Sequence, residues 1–237
     1  DTNEVLSFFS VNGIFRIAVP LFFIINGYYF FAVKDSSLRF WLIRCLKLYA
    51  VWMLVYSYFW LSITDFDIIY TITTITLGYY HLWYIPGVIG AGVLIAIIKR
   101  VSFKLLLLSF FILFITGVYI QYAVNLGYIE QVIHNNKNYS YWLYRNVLFF
   151  AFPFFLIGYL INKFNLLTKM KFKLSIVFIL VSSALLLTEI NINHSFITNV
   201  KSVDIYLSLY FLCPSIFILV MNSLNPSKNK FFSEISA

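Results

Sequence analysis

The chain has 237 residues, of which 62% are hydrophobic and only 11% are charged, and its formal net charge is +8. Soluble globular domains carry about 25% charged residues, so this composition excludes a water-soluble domain. A closed β-barrel would need short segments of alternating hydrophobicity, whereas the apolar runs here are continuous and of helical length. The composition therefore predicts an all-α protein, a polytopic bundle of transmembrane helices.

Seven apolar runs follow one another along the chain, each close to the length of about 20 residues that a spanning helix needs. They cover residues 14–33, 42–63, 82–98, 103–122, 143–162, 172–189 and 203–222. The stretch 64–80 is less hydrophobic and rich in Thr, and we interpret it as an external loop with an interfacial or re-entrant segment. Cys45 and Cys213 both fall within predicted spans, so no disulfide framework is indicated.

Basic residues collect at alternate connections between these spans. Thirteen of the seventeen lie in 34–47, 99–104, 163–173 and the C-terminal tail, which leaves Arg16, Lys137, Arg145 and Lys201 elsewhere. An excess of Lys and Arg marks the cytoplasmic side. We therefore expect a protein of the plasma membrane with residue 1 outside and residue 237 in the cytoplasm. The positive charge is then an orientation signal, and no nucleic-acid partner is expected.

An external N-terminus without a signal peptide is unusual, and residues 1–13 are too short and too polar to be one. We therefore expect an earlier helix that runs from the cytoplasm to the outside. Residues 231–237 end as though they enter another helix. On this interpretation the chain is a fragment that lacks its first helix and its C-terminal end.

Polar side chains inside the apolar spans are the candidate functional residues. A cation at a helix centre costs about 2.5–3.5 kcal/mol and usually faces a cavity. Arg16 lies near the outer end of the first span, while Arg44 and Lys47 lie one turn apart at the cytoplasmic end of the second. Such a pair suits a polyanionic ligand such as a nucleotide phosphate, although both side chains could equally extend to the lipid headgroups. The headgroup interpretation also applies to Arg145.

His81 opens the third span in an aromatic-rich stretch that begins at Tyr79 and ends at Gly87. Aromatic residues cluster at membrane interfaces, so the residues alone favour an aromatic belt with a hydrogen-bonded histidine. His134 and His194 fall in predicted external loops. The spacing of histidines and cysteines indicates no metal site.

Two stretches carry a resemblance to a known family. They are Phe15-Arg16-Ile-Ala-Val-Pro20-Leu-Phe-Phe-Ile-Ile-Asn26-Gly27-Tyr-Tyr in the first span and His81-Leu-Trp83-Tyr84 at the start of the third. Weaker support comes from Arg44-x-x-Lys47, from residues 150–158 with Pro153, and from Glu189 followed by Asp204. On these residues the chain resembles the acyltransferase-3 membrane proteins over its whole length, as one domain covering 1–237. Within that family, the first and third spans are most similar to the membrane domain of the vancomycin-resistance serine racemases.

The resemblance implies an O-acyltransferase that uses acyl-coenzyme A, in particular acetyl-coenzyme A, as the cytoplasmic donor. It implies a hydroxyl acceptor on the outside, such as a cell-surface glycan, and it implies no metal. Arg44 and Lys47 match a family motif of two arginines that holds the donor phosphates, with Lys in the second place. Arg16 and His81 match positions that line the central cavity and are the candidate catalytic residues. The family's own catalytic histidine belongs to a first helix that this chain does not contain.

Two other functions stay open at this point, because helical bundles serve many purposes. One is a transporter or flippase for a small polar solute such as an amino acid. The other is a purely structural membrane subunit. Membrane lipid is an expected partner of a transmembrane bundle whichever function it has.

Overall fold

The computed structural model describes residues 9–10, 13–64, 67–130, 132–134, 137–138, 140–170, 172–196 and 203–223. These residues form an all-α bundle, as the composition predicts. Its α-helices are α1 (Ala18–Phe30), α2 (Leu38–Val55), α3 (Ser57–Thr64), α4 (Ile68–Leu77), α5 (Tyr84–Ile98), α6 (Phe103–Asn125), α7 (Phe152–Lys163), α8 (Leu166–Lys169), α9 (Phe172–Phe196) and α10 (Leu209–Ser223).

Shorter elements connect these helices. 3₁₀ turns cover Ile14–Ile17, Asp35–Ser37, Tyr80–Trp83 and Ser140–Leu143, and a π-helix at Val147–Ala151 leads into α7. A two-residue ladder pairs β1 (Ile133–His134) with β2 (Lys137–Asn138) in antiparallel register. The basic residues Lys171, Lys201, Lys228 and Lys230 of the predicted charge pattern lie outside the described residues.

The predicted number of seven spans is not confirmed. In the described part of the chain, three helices are long and apolar enough to cross a membrane: Tyr80–Ile98, Phe103–Asn125 and Phe172–His194. A fourth would be the pair Ile14–Phe30 and Asp35–Val55, which is bent by 118°. The remaining apolar runs are broken into shorter helices, Ile68–Leu77, Val147–Lys163 and Leu209–Ser223. Apolar composition predicts where a chain meets lipid, but it does not predict where a helix breaks.

The centre of the bundle is a close crossing of α1 and α7 that two glycines make possible. A Cβ atom at Gly27 would lie 1.9 Å from the carbonyl oxygen of Phe155, and one at Gly158 would lie 1.9 Å from that of Ile24. Both distances are far below van der Waals contact, so the two backbones touch. Small residues allow this approach in membrane helices, where close packing replaces the hydrophobic effect between helices. Phe23, Phe154 and Phe155 are fully buried around the crossing.

Contacts at one end of the bundle join the basic connections. Lys99 forms an ion pair with Asp35, which links the connection before α6 to the one before α2. The rings of Phe103 and Phe164 lie 4.8 Å apart. The Asn222 amide donates to the Met170 carbonyl at 3.4 Å. The three basic connections that the structure describes therefore share one end with the C-terminal end of α10, and we call it the lysine-rich end.

Candidate functional site

A non-helical segment is buried within the bundle between α9 and α10. Val203, Ile205 and Tyr206 are completely buried and Asp204 is 3% exposed. Irregular backbone at this depth needs partners for its N–H and C=O groups. Gln121 of α6 supplies them: its Nε2 donates to the Ile205 carbonyl at 2.8 Å, and its Oε1 accepts the N–H groups of Asp204 at 2.8 Å and Ile205 at 2.9 Å.

Glu189 of α9 secures the end of the same segment. Its carboxylate accepts the N–H groups of Leu207 and Ser208, both at 3.0 Å, and the Ser208 hydroxyl at 2.5 Å. These groups lie at the start of α10, where free N–H groups and the helix dipole favour a negative charge. Gln121 and Glu189 together therefore fix the position of the backbone that carries Asp204.

Asp204 binds two arginines that come from distant parts of the chain. One carboxylate oxygen forms an ion pair with Arg16 Nη1. The other accepts from Arg145 Nε at 3.0 Å and from Arg145 Nη2 at 2.5 Å. The Asp204 side chain is 4% exposed, while those of Arg16 and Arg145 are 23% and 19% exposed. We call these three residues the Asp204 cluster.

The Asp204 cluster brings two guanidinium groups to one buried carboxylate, and both arginine side chains are only partly buried. A charge in a partly buried site acts through a low effective dielectric, so its attraction for an anion is stronger than in water. The cluster is therefore suited to bind an anion or to stabilise a developing oxyanion.

A separate cavity of about 370 Å³ has walls that are almost entirely aromatic. We call it the aromatic cavity. The residues that line it are Trp52, Tyr56, Phe59, Tyr79, Tyr80, His81, Leu82 and Tyr84. The His81 side chain lines this cavity and is exposed. The centroid of its ring lies 4.5 Å from that of Tyr80, in an edge-to-face arrangement. Burial, together with the neighbouring phenols of Tyr80 and Tyr56, raises the pKa of Tyr79, so its hydroxyl stays neutral.

A tight turn holds His81 in place. Gly78 has a φ of 91°, and a Cβ atom there would lie 2.6 Å from the backbone nitrogen of Trp83. Tyr80 has a φ of 49°, in the left-handed region that non-glycine residues rarely adopt. Such strain persists only where surrounding contacts hold the backbone, and it is often found at functional sites.

The turn Tyr80–Trp83 connects the aromatic cavity to the Asp204 cluster. Trp83 lies between the two: its ring centroid is 5.7 Å from the guanidinium carbon of Arg145, and the next residue, Tyr84, lines the cavity. The family resemblance implies that Arg16 and His81 line one central cavity. The structure places them in two adjacent features, Arg16 in the ion pair with Asp204 and His81 in the aromatic cavity.

The predicted donor residues lie toward the lysine-rich end. Arg44 and Lys47 are both exposed on α2. The same helix carries Trp52 of the aromatic cavity, eight residues after Arg44, which corresponds to about 12 Å along an α-helix. One helix therefore connects the two exposed cations to the wall of the cavity.

Two residues of the site are missed by the sequence-based interpretation. Arg145 binds Asp204 and does not simply extend to the headgroups. Gln121 carries no candidate role in the sequence, although an amide within an apolar helix is a usable signal. Burying such a group without hydrogen bonds costs free energy, so its presence indicates a specific partner.

Comparisons with known proteins agree with the sequence motifs. The family model of acyltransferase-3, described as an acyltransferase domain, matches residues 1–237. No curated protein and no solved structure matches the chain. The narrower resemblance to the membrane domain of the vancomycin-resistance serine racemases is therefore not supported by these comparisons.

Proposed function

Because the chain belongs to the acyltransferase-3 family, we propose that this membrane acyltransferase moves an acyl group across the bilayer. The donor is cytoplasmic acyl-coenzyme A, with acetyl as the acyl group in the simplest case. The acceptor is a hydroxyl on the outer side, such as that of a cell-surface glycan. The lysine-rich end faces the cytoplasm of the plasma membrane in this proposal, since an excess of Lys and Arg marks that side.

The two partly buried guanidinium groups of the Asp204 cluster are the observation that carries the proposal. Acyl transfer passes through a tetrahedral species whose former carbonyl oxygen is negative. A preorganised, partly buried guanidinium stabilises that oxygen without reorganisation at the moment of reaction. Asp204 holds Arg16 and Arg145 in position, and the Arg145 side chain keeps 19% of its surface exposed to a reacting group.

The aromatic cavity supplies a place for the acceptor. The acceptor oxygen attacks the acyl carbonyl carbon, the new C–O bond forms, and the C–S bond to coenzyme A breaks. The hydroxyl proton passes to a base and then to the departing thiolate, so that free coenzyme A thiol is the second product. His81 is the residue in the cavity whose imidazole can accept that proton.

Arg44 and Lys47 serve the donor in this proposal. Charge-assisted hydrogen bonds to phosphate oxygens are among the stronger polar contacts, and two cations one helical turn apart present them on one face. Arg44 lies about 12 Å and Lys47 about 7.5 Å before Trp52 along α2, so the donor's thioester arm can extend along the helix toward the aromatic cavity.

Turnover of acetyl-coenzyme A tests the proposal. Membranes that contain the full-length protein are given acetyl-coenzyme A, and the release of free thiol is followed together with the formation of base-labile acetyl esters. Arg145→Gln should lower the rate about 100- to 1,000-fold, as the loss of one oxyanion donor does in other enzymes. Arg39→Gln, an exposed arginine on α2, is the control and should retain activity. Movement of a polar solute without any use of acetyl-coenzyme A would contradict the proposal and favour a transporter.

A further inference from the structure

A large apolar cavity lies at the lysine-rich end of the bundle, and no residue of the Asp204 cluster lines it. It has a volume of about 510 Å³, within the range of about 300–1,000 Å³ that is common for small-molecule sites. We call it the lateral groove. Its walls come from α6, α7, α9 and α10 together with the residues around α8, and they include Leu107, Ile161, Phe178 and Ile218.

The groove is long enough to take part of an acyl chain. It follows α6 from Phe103 to Phe110 and α10 from Ile218 back to Tyr210, which corresponds to about 10–12 Å of helix. One leaflet of a bilayer has about 15 Å of hydrocarbon, half of the full apolar thickness. The groove therefore extends through most of one leaflet.

Two residues of α10 that could interrupt the apolar wall of the groove, Pro214 and Ser215, leave no free hydrogen-bond donor there. Pro214 lies inside α10 and has no N–H group of its own. The hydroxyl of the next residue, Ser215, donates to the Phe211 carbonyl at 2.7 Å. An apolar cavity of this kind stays dry, so in a bilayer a hydrocarbon chain is the occupant that fits it.

Lysines at and beside the groove favour a lipid whose headgroup is negatively charged. Lys169 lines the groove and is exposed, and Lys163 lies beside its wall, with Nζ 6.0 Å from the ring centroid of Phe164. The segment 163–173 contains four lysines and no acidic residue. Basic pockets between membrane helices on the cytoplasmic side bind anionic lipid headgroups.

We propose that the lateral groove is a binding site for an anionic phospholipid, with one acyl chain between α6, α7 and α10 and the phosphate at Lys169. The site is separate from the proposed acyl-transfer residues, so its occupant is a structural or regulatory lipid and is not consumed.

Native mass spectrometry of the purified full-length protein tests this proposal. The protein is equilibrated with equal amounts of phosphatidylglycerol and phosphatidylcholine that carry the same acyl chains. The wild-type protein should retain phosphatidylglycerol preferentially. Lys169→Gln should lower that retention about fivefold, because one lysine near the membrane surface is worth about 1 kcal/mol toward an anionic lipid. Lys34→Gln, which removes an exposed lysine of the lysine-rich end outside the groove, should leave retention unchanged.

A second pair of variants tests the groove itself. Leu107→Trp fills the groove and should lower the retention of both lipids, whereas Ile115→Trp places the same ring on the exposed face of α6 and should not. Equal retention of the two lipids by the wild-type protein would overturn the proposal. So would a Lys169→Gln variant that retains as much phosphatidylglycerol as Lys34→Gln.

Discussion

Asp204 is the residue on which the geometry of the site depends. Its carboxylate is almost completely buried and contacts both Arg16 and Arg145. Breaking a buried ion pair by removing one partner usually costs several kcal/mol, since the other charge is left uncompensated.

We therefore predict that Asp204→Asn lowers the free energy of unfolding by about 3–5 kcal/mol. The matched control is Asp35→Asn, which removes the carboxylate of the Lys99 ion pair, where the Asp35 side chain is 65% exposed. Exposed pairs contribute about 1 kcal/mol or less. Thermal unfolding of both variants in detergent measures the difference, and similar losses in the two variants would show that the Asp204 cluster is not a buried network.

Gln121 acts through Asp204 and is a positioning residue. Gln121→Leu removes three hydrogen bonds to 204–205, so we expect kcat for acetyl transfer to fall at least tenfold while the KM for acetyl-coenzyme A changes little. Thr116→Val, on the same helix, removes only a bond to the carbonyl of Ile112 in its own helix and should keep normal kinetics. A change in KM alone in Gln121→Leu would contradict the positioning role.

At the scale of single residues, the sequence identifies which side chains are unusual but not which of them meet. Arg16, Glu189 and Asp204 stand out because charged groups are costly within apolar runs. The pairing of Arg16 with Asp204 depends on a fold that brings two distant parts of the chain together. A single sequence contains no signal for such a contact.

At the scale of helices, the crossing of α1 and α7 allows no side chain at its centre. Gly158→Ala would place a Cβ atom 1.9 Å from the Ile24 carbonyl oxygen, and backbone atoms on both sides prevent local adjustment. We predict a loss of stability at or above the upper end of the 1–3 kcal/mol that overpacking usually costs.

Gly90→Ala is the milder substitution with which the stability loss of Gly158→Ala can be compared. The three atoms nearest to its Cβ would all belong to the side chain of Val147, the first at 2.6 Å, and a side chain adjusts more easily than backbone does. Gly90→Ala should therefore cost less than Gly158→Ala in thermal unfolding. The reverse order would mean that the two helices can separate easily.

The strained turn before α5 allows a test that separates stability from function. Tyr80 and Asn165 both have a φ of 49°, and glycine adopts this conformation without the steric cost that other residues bear. Tyr80→Gly and Asn165→Gly should both fold with unchanged or slightly higher thermal stability. Only Tyr80→Gly should lower acetyl transfer, because only Tyr80 lines the aromatic cavity. Equal activity in the two variants would exclude a role for the Tyr80 ring.

Helices are predictable here because long apolar runs leave few other structures available in a bilayer. Their breaks are not predictable, because contacts between distant elements cause them. The segment 203–206 belongs to a continuous apolar run, yet it is not helical. Gln121 binds its backbone, and Glu189 binds the residues that follow. The stretch 64–80, expected to hold an interfacial or re-entrant segment, contains α4, a helix of ten residues.

At the scale of the whole molecule, the basic connections meet at one end, and the proposal places that end in the cytoplasm. A variant with Cys45 and Cys213 replaced can carry a single cysteine at Lys169 or at Tyr128, both of which are exposed. An impermeant thiol reagent should label position 128 in intact cells and position 169 only after permeabilisation. Labelling at 169 in intact cells would reverse the orientation.

Transfer of the acyl group from one side of the membrane to the other is the central claim. Inverted membrane vesicles, whose outer face is the cytoplasmic one, are given labelled acetyl-coenzyme A from outside. Base-labile label should then accumulate on glycans within the vesicles, where added esterase reaches it only after detergent is present. Vesicles with Arg145→Gln should accumulate about 100-fold less, if that side chain stabilises the oxyanion. The same amount of enclosed label in vesicles without the protein, or label that is found only outside, would contradict the account.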